Sequence, residues 1–172
     1  MIIIINGSLG VGKSSVSEEL YSRFDRSVYL DGDAMGAVHP FEIYDQARIA
    51  HLYETLELLI GFHQQHGYDN FVINYVFESA AALQALLERL HPLDTAIHTY
   101  WLTCDPQEQA QRIRHRGRSD LDWELQRYVE LRAIQARAAQ EGYIGKELDT
   151  SSRSAMQVAE EIWREIFIRP VP

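Results

Sequence analysis

A glycine-rich segment near the start of the chain has the residue types and spacing of a phosphate-binding site. Gly7 is followed by four residues and then by Gly12, Lys13 and Ser14, which matches G-x-x-x-x-G-K-[ST]. Glycines let the backbone turn tightly, so that successive N–H groups point at one anion, and the lysine adds a positive charge. The serine hydroxyl can ligate Mg²⁺. The expected contacts with a nucleoside triphosphate are Gly7, Ser8, Gly10, Val11, Gly12, Lys13, Ser14 and Ser15.

The segments on both sides of this loop predict the structure that the motif requires. Residues 2–5 form an apolar, β-branched run that predicts a buried strand. From Lys13 to about Phe24, apolar residues recur at every fourth position, which predicts a helix with one apolar face. The positive end of the helix dipole would lie beneath a bound anion. This context disfavours a chance glycine-rich turn.

Two carboxylates follow the next predicted strand, which spans residues 27–30 and leads into the sequence DGD at 31–33. Ligands of parallel sheets bind at the carboxyl ends of the strands, so Asp31 and Asp33 would lie at the same edge as the loop. One carboxylate could lie beside Mg²⁺, and the other could accept a proton from an attacking hydroxyl group. The alternative is an acidic turn, because Asp-Gly is a common turn dipeptide.

The rest of the chain alternates between predicted strands and helices. Further strands are predicted at 71–74, 96–102 and 147–149, and further helices at about 44–66, 79–90, 105–116, 121–140 and 154–167. Asp105 and Pro106 would cap and open the helix after the fourth strand. The alternation predicts one α/β domain over residues 1–172, a three-layer arrangement with a parallel sheet covered by helices on both faces.

Composition limits the classes of function. The chain has 25 acidic and 16 basic residues, a formal net charge of −9, which disfavours binding to nucleic-acid backbones. The apolar run at 2–5 is too short for a membrane span or a signal sequence. Cys104 is the single cysteine and cannot form an internal disulfide. We therefore expect a soluble, cytoplasmic protein, a monomer or homodimer, without a nucleic-acid or membrane partner.

The segment IIIINGSLGVGKSSVSEEL, followed by YLDGDAM, resembles the small P-loop kinases. These include the shikimate, gluconate, adenylylsulfate and chloramphenicol kinases and, more distantly, the nucleoside monophosphate kinases. The resemblance covers most of the chain and implies a parallel sheet of five strands in the order 2-3-1-4-5, a helical lid at about 112–124, and ATP with Mg²⁺. It also implies that Asp33 is the catalytic base and substrate anchor, and that Asp31 and Ser14 lie beside the metal.

An arginine-rich segment, RIRHRGRSD at 112–120, follows the fourth predicted strand and its helix. By itself the segment could be a solvated basic patch paired with nearby acidic residues. In the kinases that the chain resembles, this is the position of the lid, whose arginines stabilise the charge of the transferring phosphoryl group. The resemblance implies that Arg112 packs on the adenine. It also implies that Arg116 and Arg118 contact the phosphates and act in catalysis with Lys13.

The segment LDTSSR at 148–153 resembles the last strand and loop that close around adenine in these kinases. On this interpretation Thr150 and Arg153 contact the nucleotide. The alternative is that Ser152 or Ser154 caps the last helix, and both interpretations can hold together.

The third predicted strand ends in Asn74, where many phosphate-loop proteins have an aspartate. An asparagine can orient a water molecule or an acceptor hydroxyl but adds no charge for Mg²⁺. The next residues, Tyr75 and Phe77, either line the acceptor pocket or belong to the core. His39, which follows the acidic loop, is a further candidate for substrate contact.

The expected reaction is transfer of the γ-phosphate of ATP to a hydroxyl group of a small molecule. Residues 33–70 contain Arg48 as their one arginine among many acidic residues, which disfavours an acceptor that carries its own phosphate. A sugar, a nucleoside or an antibiotic-like alcohol fits better. Two alternatives stay open: a nucleoside monophosphate kinase that uses Arg48 and the lid arginines, and a nucleotide-binding switch or ATPase without a small-molecule acceptor.

Overall fold

The computed structural model describes residues 1–117 and 119–168. Within them, five strands form one parallel sheet in the order β2-β3-β1-β4-β5, which confirms the predicted α/β fold and strand order. The strands are β1 Ile2–Gly7, β2 Ser27–Asp31, β3 Asn70–Tyr75, β4 Ile97–Thr103 and β5 Lys146–Asp149. The helices are α1 Lys13–Tyr21, α2 Gly32–Met35, α3 Gln46–Gln65, α4 Ala80–Leu90, α5 Pro106–His115, α6 Leu121–Glu141 and α7 Ala155–Ile168.

The central strand β1 joins two hydrophobic cores, one on each face of the sheet. Because side chains alternate along a strand, Ile2 and Ile4 pack on the side of α3 and α4, with Phe71 and Ile73 of β3. The intervening isoleucines of β1 pack on the side of α1 and α7. Full burial of such a side chain contributes roughly 1.5–3 kcal/mol, so the run that predicted a strand also anchors both layers.

The boundaries of the predicted elements are close to those observed, and the DGD segment shows the clearest difference. The sequence predicted a loop there, but Gly32–Met35 forms the short helix α2. Asp31 caps this helix, since its Oδ1 accepts hydrogen bonds from the backbone N–H groups of Asp33 at 2.9 Å and Ala34 at 3.1 Å. Asp105 caps α5 as expected, with Pro106 in its first turn.

Helix α6 lies across the carboxyl ends of the central strands. The side-chain amide of Gln135 on α6 donates hydrogen bonds to Asn6 Oδ1 and to the carbonyl of Phe77, each at 3.0 Å. Phe77 is fully buried among the residues of the α3–α4 core, so the alternative that placed it on the wall of an acceptor pocket is wrong. No helix among residues 1–117 and 119–168 has the length and apolar character needed to cross a membrane.

Asn6, the residue of β1 that precedes the first glycine of the loop, is fully buried, and both polar atoms of its side chain are hydrogen-bonded. Its Oδ1 accepts from the backbone N–H groups of Gly7 at 2.7 Å and Phe77 at 2.9 Å, as well as from Gln135. Its Nδ2 donates to the carbonyl of Ile144 at 2.9 Å. One amide therefore ties the end of β1 to the segment after β3, to α6 and to the segment before β5.

Replacing Asn6 with alanine should lower the free energy of unfolding by about 3 kcal/mol or more, because it leaves buried donors and an acceptor unpaired. Chemical denaturation monitored by circular dichroism measures this loss. Asn70→Ala is the matched control, since the Asn70 amide bonds at an exposed position and its removal should cost less than about 1 kcal/mol. Equal losses for the two variants would contradict the central role of Asn6.

Candidate functional site

The glycine-rich loop runs from the end of β1 into α1 and forms a compact anion cradle. Gly12 is the N-cap of α1 with φ +101°, a conformation that L side chains rarely adopt. The described residues provide α1 with no side-chain cap and no acidic residue in its first turn. Its N–H groups and positive dipole end are therefore available to phosphate oxygens.

Lys13 is buried, and its ammonium group bends back over the loop to donate to the carbonyl of Ser8 at 3.0 Å. The pKa of Lys13 is lowered to about 8, mainly by burial; the charge of Asp33 raises it, that of Arg116 lowers it and that of Asp31 raises it. These four side chains therefore share one electrostatic environment. The structure brings together the residues that the sequence predicted for phosphoryl transfer, apart from Arg118, which lies outside the described residues.

The predicted metal-side residues form a cluster with two residues of the neighbouring strands. The Asn74 amide nitrogen lies 3.3 Å from Ser14 Oγ and 3.3 Å from Asp31 Oδ2. It also donates to the hydroxyl of Tyr29 at 2.6 Å, and that hydroxyl donates to Asp31 Oδ2 at 3.1 Å. Burial and the charge of Asp31 raise the pKa of Tyr29, so its hydroxyl group stays protonated.

The chemistry of this cluster fits Mg²⁺ that is also bound by the phosphates of a nucleotide. Mg²⁺ prefers oxygen ligands, usually from one or two protein groups together with substrate phosphates and water, and Ser14 and Asp31 offer such oxygens on either side of one amide. Among the described residues, no group of three or more His, Cys, Asp or Glu side chains could hold a metal ion unaided. A metal here would therefore depend on the phosphates of a bound nucleotide.

The close approach of α2 to β3 explains the glycine between the two aspartates. A Cβ atom on Gly32 would lie 2.7 Å from Cδ2 of Tyr75 and 2.8 Å from the carbonyl oxygen of Asn74. A side chain at this position would therefore displace α2 and move both Asp31 and Asp33. The DGD sequence is required by packing as well as by its charges.

A small cavity of about 230 Å³ next to the loop collects the residues predicted to contact adenine. Arg112 donates to the carbonyl of Thr150 at 2.8 Å and to its hydroxyl at 3.1 Å, and it pairs with Glu108 at 2.6 Å. The Thr150 hydroxyl donates to the carbonyl of Val11 in the loop at 3.0 Å. The wall consists of Val11, Gly12, Ser15, Val16, Arg112, Thr150, Arg153, Ala155 and Val158. Contact of these residues with adenine stays a prediction.

Gln109, which the sequence did not single out, holds the loop from α5. Its side-chain nitrogen donates to Ser8 Oγ at 2.6 Å and to the carbonyl of Leu9, and its oxygen accepts from Arg132 of α6 at 2.6 Å. Gln109 is fully buried. In the sequence, the one indication of this role is that the uncharged Gln109 lies on the same helix face as the apolar Ala110 and Ile113, which are buried.

A larger cavity, of about 870 Å³, opens on the other side of the loop between α2, α3 and α6. Leu9 of the loop and Asp33 both line it, so it adjoins the position where the γ-phosphate of a nucleotide would lie. His39 and Tyr75, predicted as substrate contacts, are on its wall. Asn74 is not brought to this wall, because its side chain is buried in the cluster with Ser14 and Asp31.

Two of the wall residues of this cavity, Glu78 and Arg127, were missed by the sequence analysis. Arg127 of α6 pairs with Glu78 and, at 3.2 Å, with Glu130. Tyr44 lies between them, since Glu78 accepts from its hydroxyl at 3.2 Å and Arg127 donates to that hydroxyl at 3.3 Å. This group joins the segment before α3 to α6 across the cavity.

The comparisons with known proteins agree with this arrangement. A family model described as an AAA domain matches residues 3–135, from β1 to the last third of α6. The chain belongs to this AAA-domain family, AAA_18. The matched part of this chain includes the glycine-rich loop, both aspartates of DGD and the arginine-rich segment. A search among curated proteins found no match.

Solved structures with the same fold include several kinases. The Deinococcus radiodurans tunicamycin resistance protein is 21% identical with a TM-score of 0.66, covering 96% of this chain and 95% of that one. A gluconokinase from Sinorhizobium meliloti 1021 is 17% identical with a TM-score of 0.67, covering 95% and 90%. A shikimate kinase from Acinetobacter baumannii, in complex with shikimate, is 18% identical with a TM-score of 0.64, covering 99% and 95%. The resemblance to the small P-loop kinases is confirmed in the fold.

The lowered pKa of Lys13 predicts that the affinity of the loop for a nucleoside triphosphate depends on pH. A triphosphate is expected to bind the protonated ammonium form, and in the free protein that form is lost as the pH rises through about 8. At about pH 8.5, ATP binding should therefore be accompanied by uptake of a proton, and the affinity should fall about tenfold for each further unit of pH. Isothermal titration calorimetry in buffers of different ionisation enthalpy measures the uptake.

Lys13→Met is the control for this prediction, since methionine cannot titrate. The variant should bind ATP more weakly at neutral pH and should take up no proton between about pH 7 and 9. Equal proton uptake by the wild type and the variant would assign the titration to another group.

Proposed function

We propose that the protein is an ATP-dependent phosphotransferase that moves the γ-phosphate of ATP to a hydroxyl group of a small molecule. The observation that carries the proposal is the position of Asp33. Its carboxylate lines the 870 Å³ cavity and also raises the pKa of Lys13, so it faces both the acceptor space and the phosphate-binding lysine. A general base between acceptor and phosphate is what this reaction requires.

In the proposed reaction, Asp33 orients an acceptor hydroxyl and accepts its proton. The acceptor oxygen forms a bond to the γ-phosphorus, while the bond between that phosphorus and the β–γ bridging oxygen breaks. ADP leaves with the electron pair of that bond. Lys13 and Arg116 offset the negative charge of the transferring group, and Mg²⁺ beside Ser14 and Asp31 would offset that of the phosphates. Arg118 is proposed to assist from the lid at about 112–124.

The large cavity favours this function over a switch or an ATPase without an acceptor. A protein that only hydrolyses ATP needs room for one water molecule beside the γ-phosphate, whereas pockets for small organic ligands are typically about 300–1,000 Å³. The cavity of about 870 Å³ beside Asp33 is of the latter size. A cavity of this size has no evident purpose if the acceptor is a single water molecule.

The contacts of Arg48 disfavour a nucleoside monophosphate kinase. Its Nε donates to the carbonyl of Glu42 at 3.0 Å and its guanidinium also donates to the carbonyl of Ile43 at 2.8 Å. The guanidinium lies 4.7 Å from the centre of the Phe41 ring. Arg48 therefore holds the segment before α3 in place, and binding an acceptor phosphate would compete with these contacts.

Asp33→Asn should lower acceptor-dependent turnover by about 10²–10⁴-fold, because the amide cannot accept the hydroxyl proton. The affinity for ATP should change by only a few-fold. The assay is ADP release with ATP and Mg²⁺ against sugars, nucleosides, nucleoside monophosphates, aminoglycosides and apolar alcohols, with Lys13→Ala as the blank.

Asp25→Asn removes the same charge at an exposed position before β2 and should leave turnover unchanged. Near-normal turnover of Asp33→Asn would exclude Asp33 as the base. Tight ATP binding with slow hydrolysis that no acceptor stimulates would favour the switch instead, and turnover with one nucleoside monophosphate would favour the alternative kinase.

A further inference from the structure

We infer that the acceptor is an alcohol with an apolar body of aromatic size and no acidic group. The inference rests on the proposed function, since it concerns the cavity that would hold the acceptor. It narrows the range of sugars, nucleosides and antibiotic-like alcohols to compounds whose hydroxyl group is attached to a large apolar framework. Simple sugars and sugar acids are excluded by it.

The rim of the cavity carries large exposed apolar side chains. Phe41 is 56% exposed, Tyr44 63% and Trp123 53%, and all three line the cavity. They come from the segment before α3 and from the first turn of α6, so the chain brings them together from distant positions. A cluster of exposed rings around a concave site is the typical signature of a binding site for an apolar ligand.

The interior of the cavity is also largely apolar. Ile49, Tyr53 and Tyr75 line it, together with Leu131 of α6. The hydroxyl group of Tyr53 donates to the carbonyl of Ala82 at 3.0 Å, so the protein already satisfies its polar end. A sugar with hydroxyl groups on every side would leave many of them without partners against such walls, which is costly.

The arginines of the cavity are committed to protein acceptors. Arg48 donates to two backbone carbonyls, and Arg127 pairs with Glu78 and Glu130. Apart from His39, these are the basic side chains among the described residues that line the cavity. A carboxylate or phosphate on the acceptor would have to break these contacts before it could be neutralised.

The acidic side chains of the cavity also disfavour an acceptor that carries a negative charge. Asp33, Glu78 and Glu124 all line it. In a partly enclosed site their negative potential opposes an anionic ligand and tolerates a neutral or basic one. Among the described residues, three carboxylates line the cavity beside two guanidinium groups, and this excess of negative charge favours the same class of acceptor as the apolar walls.

A matched pair of fluorescent probes tests the inference without turnover. N-phenyl-1-naphthylamine and 8-anilino-1-naphthalenesulfonate share one aromatic framework, and only the second carries an acidic sulfonate. The neutral probe should bind at least about tenfold more tightly, because both arginines among the described residues of the cavity wall already bond to protein acceptors. Saturating ADP with Mg²⁺ should leave the neutral probe bound.

Two pairs of variants locate the effect. Trp123→Gln should weaken binding of the neutral probe several-fold, whereas Leu58→Gln should not, since Leu58 is 73% exposed on α3 and does not line the cavity. Glu78→Gln should narrow the preference for the neutral probe, because it removes a charge from the cavity and weakens the hold on Arg127. Glu54→Gln makes the same change in net charge at an exposed position and should not narrow it.

The inference is overturned if the sulfonate binds as tightly as the neutral probe, if ADP displaces the neutral probe, or if the variants of each pair behave alike. The proposed function fails separately, when no acceptor of any class raises ADP release. Turnover with a simple sugar or a sugar acid and not with its apolar derivative would overturn the inference and leave the phosphotransferase intact.

Discussion

The buried amide of Asn6 is the interaction on which the geometry of the candidate site depends. It lies where β1 ends and the phosphate-binding loop begins, and it bonds to Gly7, Phe77, Gln135 and Ile144. These partners belong to the loop, the segment after β3, helix α6 and the segment before β5. A side chain with fewer polar atoms could not meet all four in the dry interior. Asn6 thereby fixes where the loop begins relative to α6 and to the segments after β3 and before β5.

Helix α6 is the second part of this arrangement, because its side chains support the loop and also line the larger cavity. Gln135 bonds to Asn6, and Arg132 donates to Gln109, which holds the loop. About one to two turns earlier, Arg127 and Leu131 line the larger cavity. A shift of α6 would therefore move the wall of the proposed acceptor pocket and the support of the nucleotide loop together.

The sequence predicted what depends on local pattern. The glycine-rich motif, the isoleucine strand and the cap at Asp105 are each determined within a few residues, and the alternation of elements determined the sheet. The contacts it missed join distant segments: Gln135 and Asn6 are 129 residues apart, and Gln109 and Ser8 are 101 apart. A buried glutamine has no periodicity that distinguishes it from a surface glutamine. The sequence assigned the carboxylate of Asp31 only to a metal, but this carboxylate also caps α2. That role could not be predicted without the backbone geometry of the turn that follows Asp31.

The charges at the edge of the sheet separate two kinds of ligand. On the loop side, burial holds the pKa of Lys13 down while Asp31 and Asp33 raise it. In the proposed function, a bound triphosphate would favour the protonated form of this lysine. On the cavity side, Arg48 and Arg127 already donate to protein acceptors. A second anion would have to displace those acceptors before it could pair with either arginine. In the proposed function this asymmetry prevents the triphosphate from occupying the acceptor position. Asp33 then lies at the boundary, beside a cation on one side and apolar walls on the other, where a neutral hydroxyl group can give up its proton.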